Sequence, residues 1–315
     1  MIAFGPVPSR RLGRSLGINN IPPKSCPYSC VYCQLGRTKK MTVERRRFYE
    51  PEEILKEIMG KVEEADAAGE RIDYLTFVPD GEPTLDLNLG IEIEMLRSLG
   101  IKIAVITNAA LIWREDVREA LMPADWVSLK VDAAGNAIWR QIDRPHGALE
   151  LTSIFDGASA FARAFSGELV TETMLVEGVN DGTRDLTEVA GLVAQLKPAT
   201  AYLAVPTRPP AESWVRPPEE KVINQAYQIF VEKIDEVELL LGYEGDAFAC
   251  TGNVQQDLLS ITSVHPMRKE AVDTFLNQAG AGWSTIHELL SAGQLVEVMY
   301  QGRIFFMRNL HGMQA

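Results

Sequence analysis

The chain has 315 residues, 46% of them hydrophobic, and a formal net charge of −12. That is enough apolar material for one large core and a small second one, and no run of 18 or more apolar residues offers a membrane span. Four cysteines, three of them inside residues 26–33, exclude a disulfide framework. The start, Met1-Ile2-Ala3-Phe4-Gly5-Pro6, has no signal-peptide apolar core, so the expected compartment is the reducing cytoplasm.

The charge is unevenly spread. Residues 1–50 hold ten Lys or Arg against Glu44 and Glu50, a balance of +8, so the remaining 265 residues sum to −20. A basic segment on an acidic body points to an anionic ligand near it. Arg10, Arg11 and Arg14 are the candidates, because guanidinium forks match carboxylates and phosphates. Pairing with the chain's own acidic side chains is the plain alternative.

In chain order, residues 4–14 read as turns and become strand-like at 15–18. A cysteine-bearing loop follows. Pro51-Glu52-Glu53 then starts a helix, with proline in the first turn and acids at the positive dipole end. Ile54, Ile58, Val62 and Ala65 share one face of it. Strands are expected over 74–78, 103–106, 126–131, 169–175, 202–205 and 237–241. They alternate with helices over 88–99, 115–121, 149–165, 185–196 and 218–231. Such alternation makes an α/β fold with a parallel sheet covered by helices. Roughly six units give a partial or full barrel with ligands at the C-terminal strand ends.

After Gly242 the pattern changes, which divides the chain into residues 1–245 and 246–315. Residues 251–263 show no clear period. A helix beginning at His265, a second over 283–291 and a hairpin around Gln301-Gly302 are together similar to a winged helix. Residues 261–315 carry four basic and four acidic side chains. A neutral module lacks the footprint of a phosphate binder, so a docking or lid element is expected.

The stretch Cys26-Pro27-Tyr28-Ser29-Cys30-Val31-Tyr32-Cys33 carries the chemistry. Three close thiolates are soft ligands that select iron–sulfur clusters, zinc or copper(I). Zinc completed by Cys250 or a histidine is one reading. A cubane cluster with one iron open to a non-protein ligand is the other.

The spacing of Cys26, Cys30 and Cys33, with Tyr32 before the last cysteine, resembles the cluster motif of radical S-adenosylmethionine (SAM) enzymes. The resemblance implies a 4Fe–4S cluster whose open iron is chelated by SAM, and a 5′-deoxyadenosyl radical that abstracts hydrogen. It also implies a reductant such as flavodoxin or ferredoxin. Asp80-Gly81-Glu82-Pro83 resembles the family's Gly-Gly-Glu-Pro segment, with Asp80 in place of the first glycine. There Gly81 permits close backbone approach and Glu82 accepts from SAM's ammonium. Thr107 and Asn108 resemble the polar strand end near the SAM ribose. Ser128, Lys130 and Asp132 share one strand face by period two, costly in an interior unless paired or bound to ligand. A Lys130–Asp132 ion pair is the plain alternative. Arg208, in the rim loop 207–214 that ends at Trp214, is a further substrate candidate. His146, His265, His287 and His311 have no metal spacing.

The opening Gly5 to Ile18, the run into Cys26 and Gly81-Glu82-Pro83-Thr84-Leu85 are similar to the Fe–S oxidoreductases related to wyosine-tRNA synthases. This resemblance covers residues 1–245. Only Cys250 remains for the second cluster of those synthases, and the chain is acidic overall, poor for gripping tRNA. The expectation is therefore a radical SAM barrel of the (β/α)6 type acting on a small-molecule or peptide substrate. A tRNA- or nucleotide-modifying enzyme and a non-catalytic Fe–S electron carrier or regulator remain alternatives.

Overall fold

The computed structural model describes residues 2–241, 248, 253–264 and 266–309. It opens with a hairpin, β1 (Ala3–Ser9) antiparallel to β2 (Gly13–Ile18). The sequence reading had turns over much of this hairpin. Two prolines and Gly5 suppress the strand signal, yet β1 lies at the sheet edge, where proline is tolerated because its missing donor faces no partner strand.

The chain then alternates. Helix α1 (Pro51–Ala67) precedes β3 (Tyr74–Phe77), α2 (Leu89–Leu96) precedes β4 (Lys102–Thr107), and α3 (Glu115–Leu121) precedes β5 (Trp126–Lys130). Two helices follow, α4 (Asn136–Ile142) and α5 (Leu151–Ala164), then β6 (Glu168–Met174), α6 (Thr183–Leu196), β7 (Thr200–Ala204), α7 (Glu220–Val231) and β8 (Val237–Leu240). The eight strands pair in sequential order, and β2 through β8 run parallel. Strand interiors such as Ile103, Ala104, Val105 and Val127, Leu129 are buried on both faces, as helix-covered parallel strands require.

The inner face is rolled. Leu12, Ala104, Trp126, Val170, Tyr202 and Leu240 form one cluster. Residues from β4 to β8 and the β1–β2 turn touch only if the sheet curls into a partial barrel. The outer face carries the large core, with Ile54, Ile58, Ile93, Phe161, Val193 and Phe230 on its helices.

Helix α8 (Val254–Val264) occupies the stretch that showed no period. Met267–Arg268 (β9) pairs with Phe305 and Phe306, so the following helix α9 (Lys269–Gln278) starts later than the sequence suggested. Helix α10 (Ser284–Ser291) leads into β10 (Leu295–Tyr300) and β11 (Arg303–Arg308), and the small sheet has the order β10–β11–β9. Its core, with Leu258, Phe275, Ile286 and Phe306, includes Val7 of β1. The Tyr300 hydroxyl donates to the Pro206 carbonyl at 3.0 Å, so this module packs on the barrel edge and on the loop after β7.

Candidate active site

The cluster loop lies at the C-terminal ends of the parallel strands, between β2 and α1. Its main chain is held from two sides. Ser29 N–H donates to the Asp143 carbonyl at 3.0 Å and Val31 N–H to the Ile142 carbonyl at 2.9 Å. Trp139 meets the Tyr28 ring edge-on at 6.0 Å and donates to its hydroxyl at 3.2 Å. On the other side Lys24 N–H donates to the Asp80 carbonyl and Glu82 N–H to the Ser25 carbonyl, at 2.6 and 2.9 Å. Gly81 makes this second contact feasible: a Cβ there would stand 2.1 Å from the Ser25 carbonyl oxygen. The close backbone approach expected at Gly81 is thus made to the cluster loop itself.

Cys26, Cys30 and Cys33 are free thiols on this loop. Three donors point at their sulfurs. Asn108 Nδ2 lies 3.3 Å and Tyr28 N–H 3.5 Å from Cys26, and Lys24 Nζ lies 3.7 Å from Cys33. Cys30 donates to Asp143 at 3.4 Å. Burial pushes the Cys26 thiol up, helped by the Glu82 charge, and burial and then Asp143 push Cys30 up. Tyr32 donates to Asp132 and, at 3.3 Å, to Asp143. Burial holds the Asp143 carboxyl well above the usual range, and the charge of Asp132 adds to it.

Glu82 is almost wholly buried. Its Oε1 accepts from Thr84 N–H (3.1 Å), the Thr84 hydroxyl (2.6 Å) and the Thr107 hydroxyl (2.6 Å), and Oε2 accepts from Asn108 N–H (2.8 Å). Thr107 and Asn108, expected beside a ribose, therefore serve the Glu82 carboxylate, and Asn108 also reaches Cys26. Burial still raises the Glu82 pKa despite these donors. Asp80 is buried too. Burial lifts its pKa to about 7, moderated by the charges of Arg308 and Lys24, and its Oδ1 has no hydrogen-bond partner among the described residues.

A cavity of about 350 Å³ runs from Cys33 and Tyr32 into the barrel, past Lys130 and Glu172 to Arg10 and Arg11. Glu172 pairs with both Lys130 and Arg11, so the Lys130–Asp132 pair weighed from sequence is replaced by a cross-strand one. Lys130 and Glu172 are direct neighbours in the β5–β6 register. Burial drags the Lys130 pKa down, but Glu172 and Asp132 outweigh it and the net shift is upward. Burial likewise raises Glu172, and Lys130 and Arg11 overcome it, holding the carboxyl at about 2. Lys130 lies 5.0 Å from the Tyr32 ring centroid. Arg11 sits between Trp126 and Tyr202 at the barrel floor, 5.8 and 5.7 Å from their centroids.

Of the other candidates, Arg10 and Arg208 line the cavity, and Arg208 donates to Gln34 at 2.9 Å. Arg14 turns to Glu70, and its N–H donates to Asp73 at 2.9 Å, outside the cavity lining. Ser128 is buried in β5 between Trp126 and Lys130 and does not line the cavity. Cys250, His265 and His311 lie outside the described residues. Sequence reasoning missed Asp143, Glu172 and Glu212. Glu212, from the rim loop, receives a two-pronged contact from Arg37 at 2.6 Å and another from Arg144, tying that loop to the cluster loop. No spacing rule marks these residues. Lys24, two positions before Cys26, was findable by proximity alone.

This donor set fits an iron–sulfur cluster: soft thiols, N–H groups aimed at sulfur, and a surrounding shell that orients the ligands. Metal binding also removes the protons that burial retains on the thiols. Among the described residues no three His, Cys, Asp or Glu side chains group as a site for a single metal ion.

Comparison with known proteins agrees. A UPF0026 protein of Methanocaldococcus jannaschii, MJ1312, is 48% identical over 98% of this chain and 96% of its own length. Among solved structures, a radical SAM methyltransferase from Sphaerobacter thermophilus shares the fold at a TM-score of 0.57 and 16% identity, over 72% of this chain and 66% of that one. A structure of TYW1 with a lysine–pyruvate adduct bound shares it at 0.55 and 18%, over 70% and 74%. Residues 20–190, more than half of the sequence, match the family model described as the radical SAM superfamily. The chain belongs to that superfamily, whose members bind a 4Fe–4S cluster and S-adenosylmethionine.

Proposed function

We propose that this protein cleaves SAM reductively and directs the resulting radical at a small, carboxylate-bearing substrate held in the barrel cavity. The observation that carries the substrate class is the charge of the cavity wall. Among the described residues the lining holds Arg10, Arg11, Lys130 and Arg208 and one carboxylate, Glu172, inside a chain whose net charge is −12. Cations gathered on an acidic protein, along a half-open cavity with a largely apolar lining, favour an anionic ligand.

When bound, the reduced cluster supplies the electron that breaks the C5′–S bond of SAM. Cys26, Cys30 and Cys33 would hold the cluster, and the donors from Asn108, Tyr28 and Lys24 orient the Cys26 and Cys33 sulfurs. Glu82 would receive the ammonium of SAM, with Oε2 as its less committed oxygen: it accepts one internal hydrogen bond where Oε1 accepts three. Lys130 stays protonated against Glu172 and grips a substrate carboxylate. A nucleophilic lysine needs a lowered pKa, and Lys130 is shifted the other way.

Two measurements test this reading. The reconstituted, anaerobically reduced protein should form 5′-deoxyadenosine from SAM, and small carboxylic acids should raise that rate and transfer their hydrogen to the product. No 5′-deoxyadenosine would remove the activity. Stimulation by neutral compounds in preference to acids would remove the substrate class.

The Glu82 role has its own check. Glu82→Gln should weaken SAM binding by about 1.5–3 kcal/mol, the scale of a hydrogen bond to a charged group, while cluster absorption persists. Unchanged SAM affinity by titration would take Glu82 out of the site.

A further inference from the structure

The segment after Cys33 folds back over the cluster loop. Gly36 N–H donates to the Cys33 carbonyl at 3.1 Å, Thr38 N–H to Ser29 Oγ at 3.0 Å, and Thr42 N–H to the Cys26 carbonyl at 3.2 Å. Lys24 Nζ ties the same segment to Cys33, through Gly36 O and the Cys33 sulfur. Between these anchors Thr38 is buried, whereas Arg37, Lys39 and Lys40 are exposed. One thickness of main chain therefore separates three cationic side chains from the cysteine loop.

Residues 34–47 hold six basic side chains and one acid, Glu44; the Arg45 side chain is buried against Asp116, and the other five basic residues are exposed. Glu212, the partner of Arg37, is buried and divided between Arg37 and Arg144, so that trio keeps a net positive charge. Such a patch stands out on a chain of −12.

We infer that the 36–42 segment is the docking surface for an acidic one-electron carrier protein that reduces the cluster. The inference rests on the radical SAM reading above. Electron transfer weakens steeply with distance, so a carrier must dock where the cluster lies nearest solvent. Complementary charge brings an acidic carrier to this face and orients it. The step moves one electron: the carrier's flavin hydroquinone is oxidised to its semiquinone, the cluster is reduced by one electron, and no covalent bond forms or breaks in the protein.

The test uses the full chain with reconstituted cluster and reduced flavodoxin. Lys39→Glu with Lys40→Glu should slow cluster reduction by flavodoxin tenfold or more at low ionic strength. Added salt should slow the wild type toward the variant. Photoreduced deazaflavin should reduce both at one rate, and cross-links from flavodoxin should fall in residues 36–42. A matched control, Lys221→Glu on α7 with Lys233→Glu in the turn just after it, should leave flavodoxin reduction within twofold of wild type.

Equal flavodoxin rates in the wild type and the Lys39/Lys40 variant would overturn the proposal, as would an equal loss in the α7 control. Unchanged flavodoxin reduction with loss of salt-sensitive binding to transcribed tRNA would also overturn it, and would make the patch a nucleic-acid surface. Failure of the cluster to form, or to cleave SAM under photoreduction, would refute the underlying reading and take the docking surface with it.

Discussion

Replacing any one of Cys26, Cys30 or Cys33 by Ala is expected to abolish the reconstituted cluster: iron and acid-labile sulfide fall to background and the broad visible absorption disappears. A cubane held at three corners by protein has no substitute thiolate within the loop when one is lost, and binding free energy depends on the full donor set. Cys250→Ala should keep the cluster. The apoprotein should fold in every variant, because the thiols make only long, weak contacts, such as Cys30 to Asp143 at 3.4 Å; circular dichroism checks this. Sulfide content separates the cluster from the zinc reading, which predicts metal without sulfide. Retention of cluster in the three motif variants would dismiss the assignment, and graded loss in Cys250→Ala would make it a fourth ligand.

How much of this was legible beforehand follows from the reach of each signal. The cysteine triplet is local, so spacing alone exposed it. The βα rhythm is also local, and strands such as 103–106 and 126–131 were placed within a residue of Lys102–Thr107 and Trp126–Lys130. Signals failed where two preferences compete. Strand β1 carries Pro6 and Pro8 and forms because an edge needs fewer donors. Helix α8 shows little periodicity and forms because Leu258 and Ile261 are buried in the small core. The site's acids were illegible for a different reason. Glu172 meets Lys130 across 42 residues of chain, and Asp143 meets Cys30 across 113. Such pairs exist only once register and loop path are set. Period two marked Lys130 as a residue that needs a partner, but naming that partner required the β5–β6 alignment.

That partner carries the second large effect. Glu172→Ala should lower stability at neutral pH by about 3–5 kcal/mol, the cost of removing one member of a buried ionic set and leaving the others unmatched. Lys130 and Arg11 would then stand as like charges in a water-poor interior, each only about one-sixth exposed or less. The pH dependence gives the sign. The Glu172 carboxyl is held at about 2 in the folded protein, below its ordinary 4.5. Its stabilisation is therefore complete above about 4.5 and is lost as pH falls toward 2. Unfolding by denaturant should show a difference between wild type and Glu172→Ala that is steady from pH 6 to 8 and shrinks below about 4.5. The triple variant Arg11→Met, Lys130→Met, Glu172→Met should recover most of the stability, since apolar groups of similar volume remove the desolvation penalty altogether. It should not recover substrate-stimulated SAM cleavage, because the cations that grip the carboxylate are gone. A Glu172→Ala loss that stays constant down to pH 3, or a triple variant that regains stimulation by acids, would show that the triad neither holds the fold by charge nor reads the substrate.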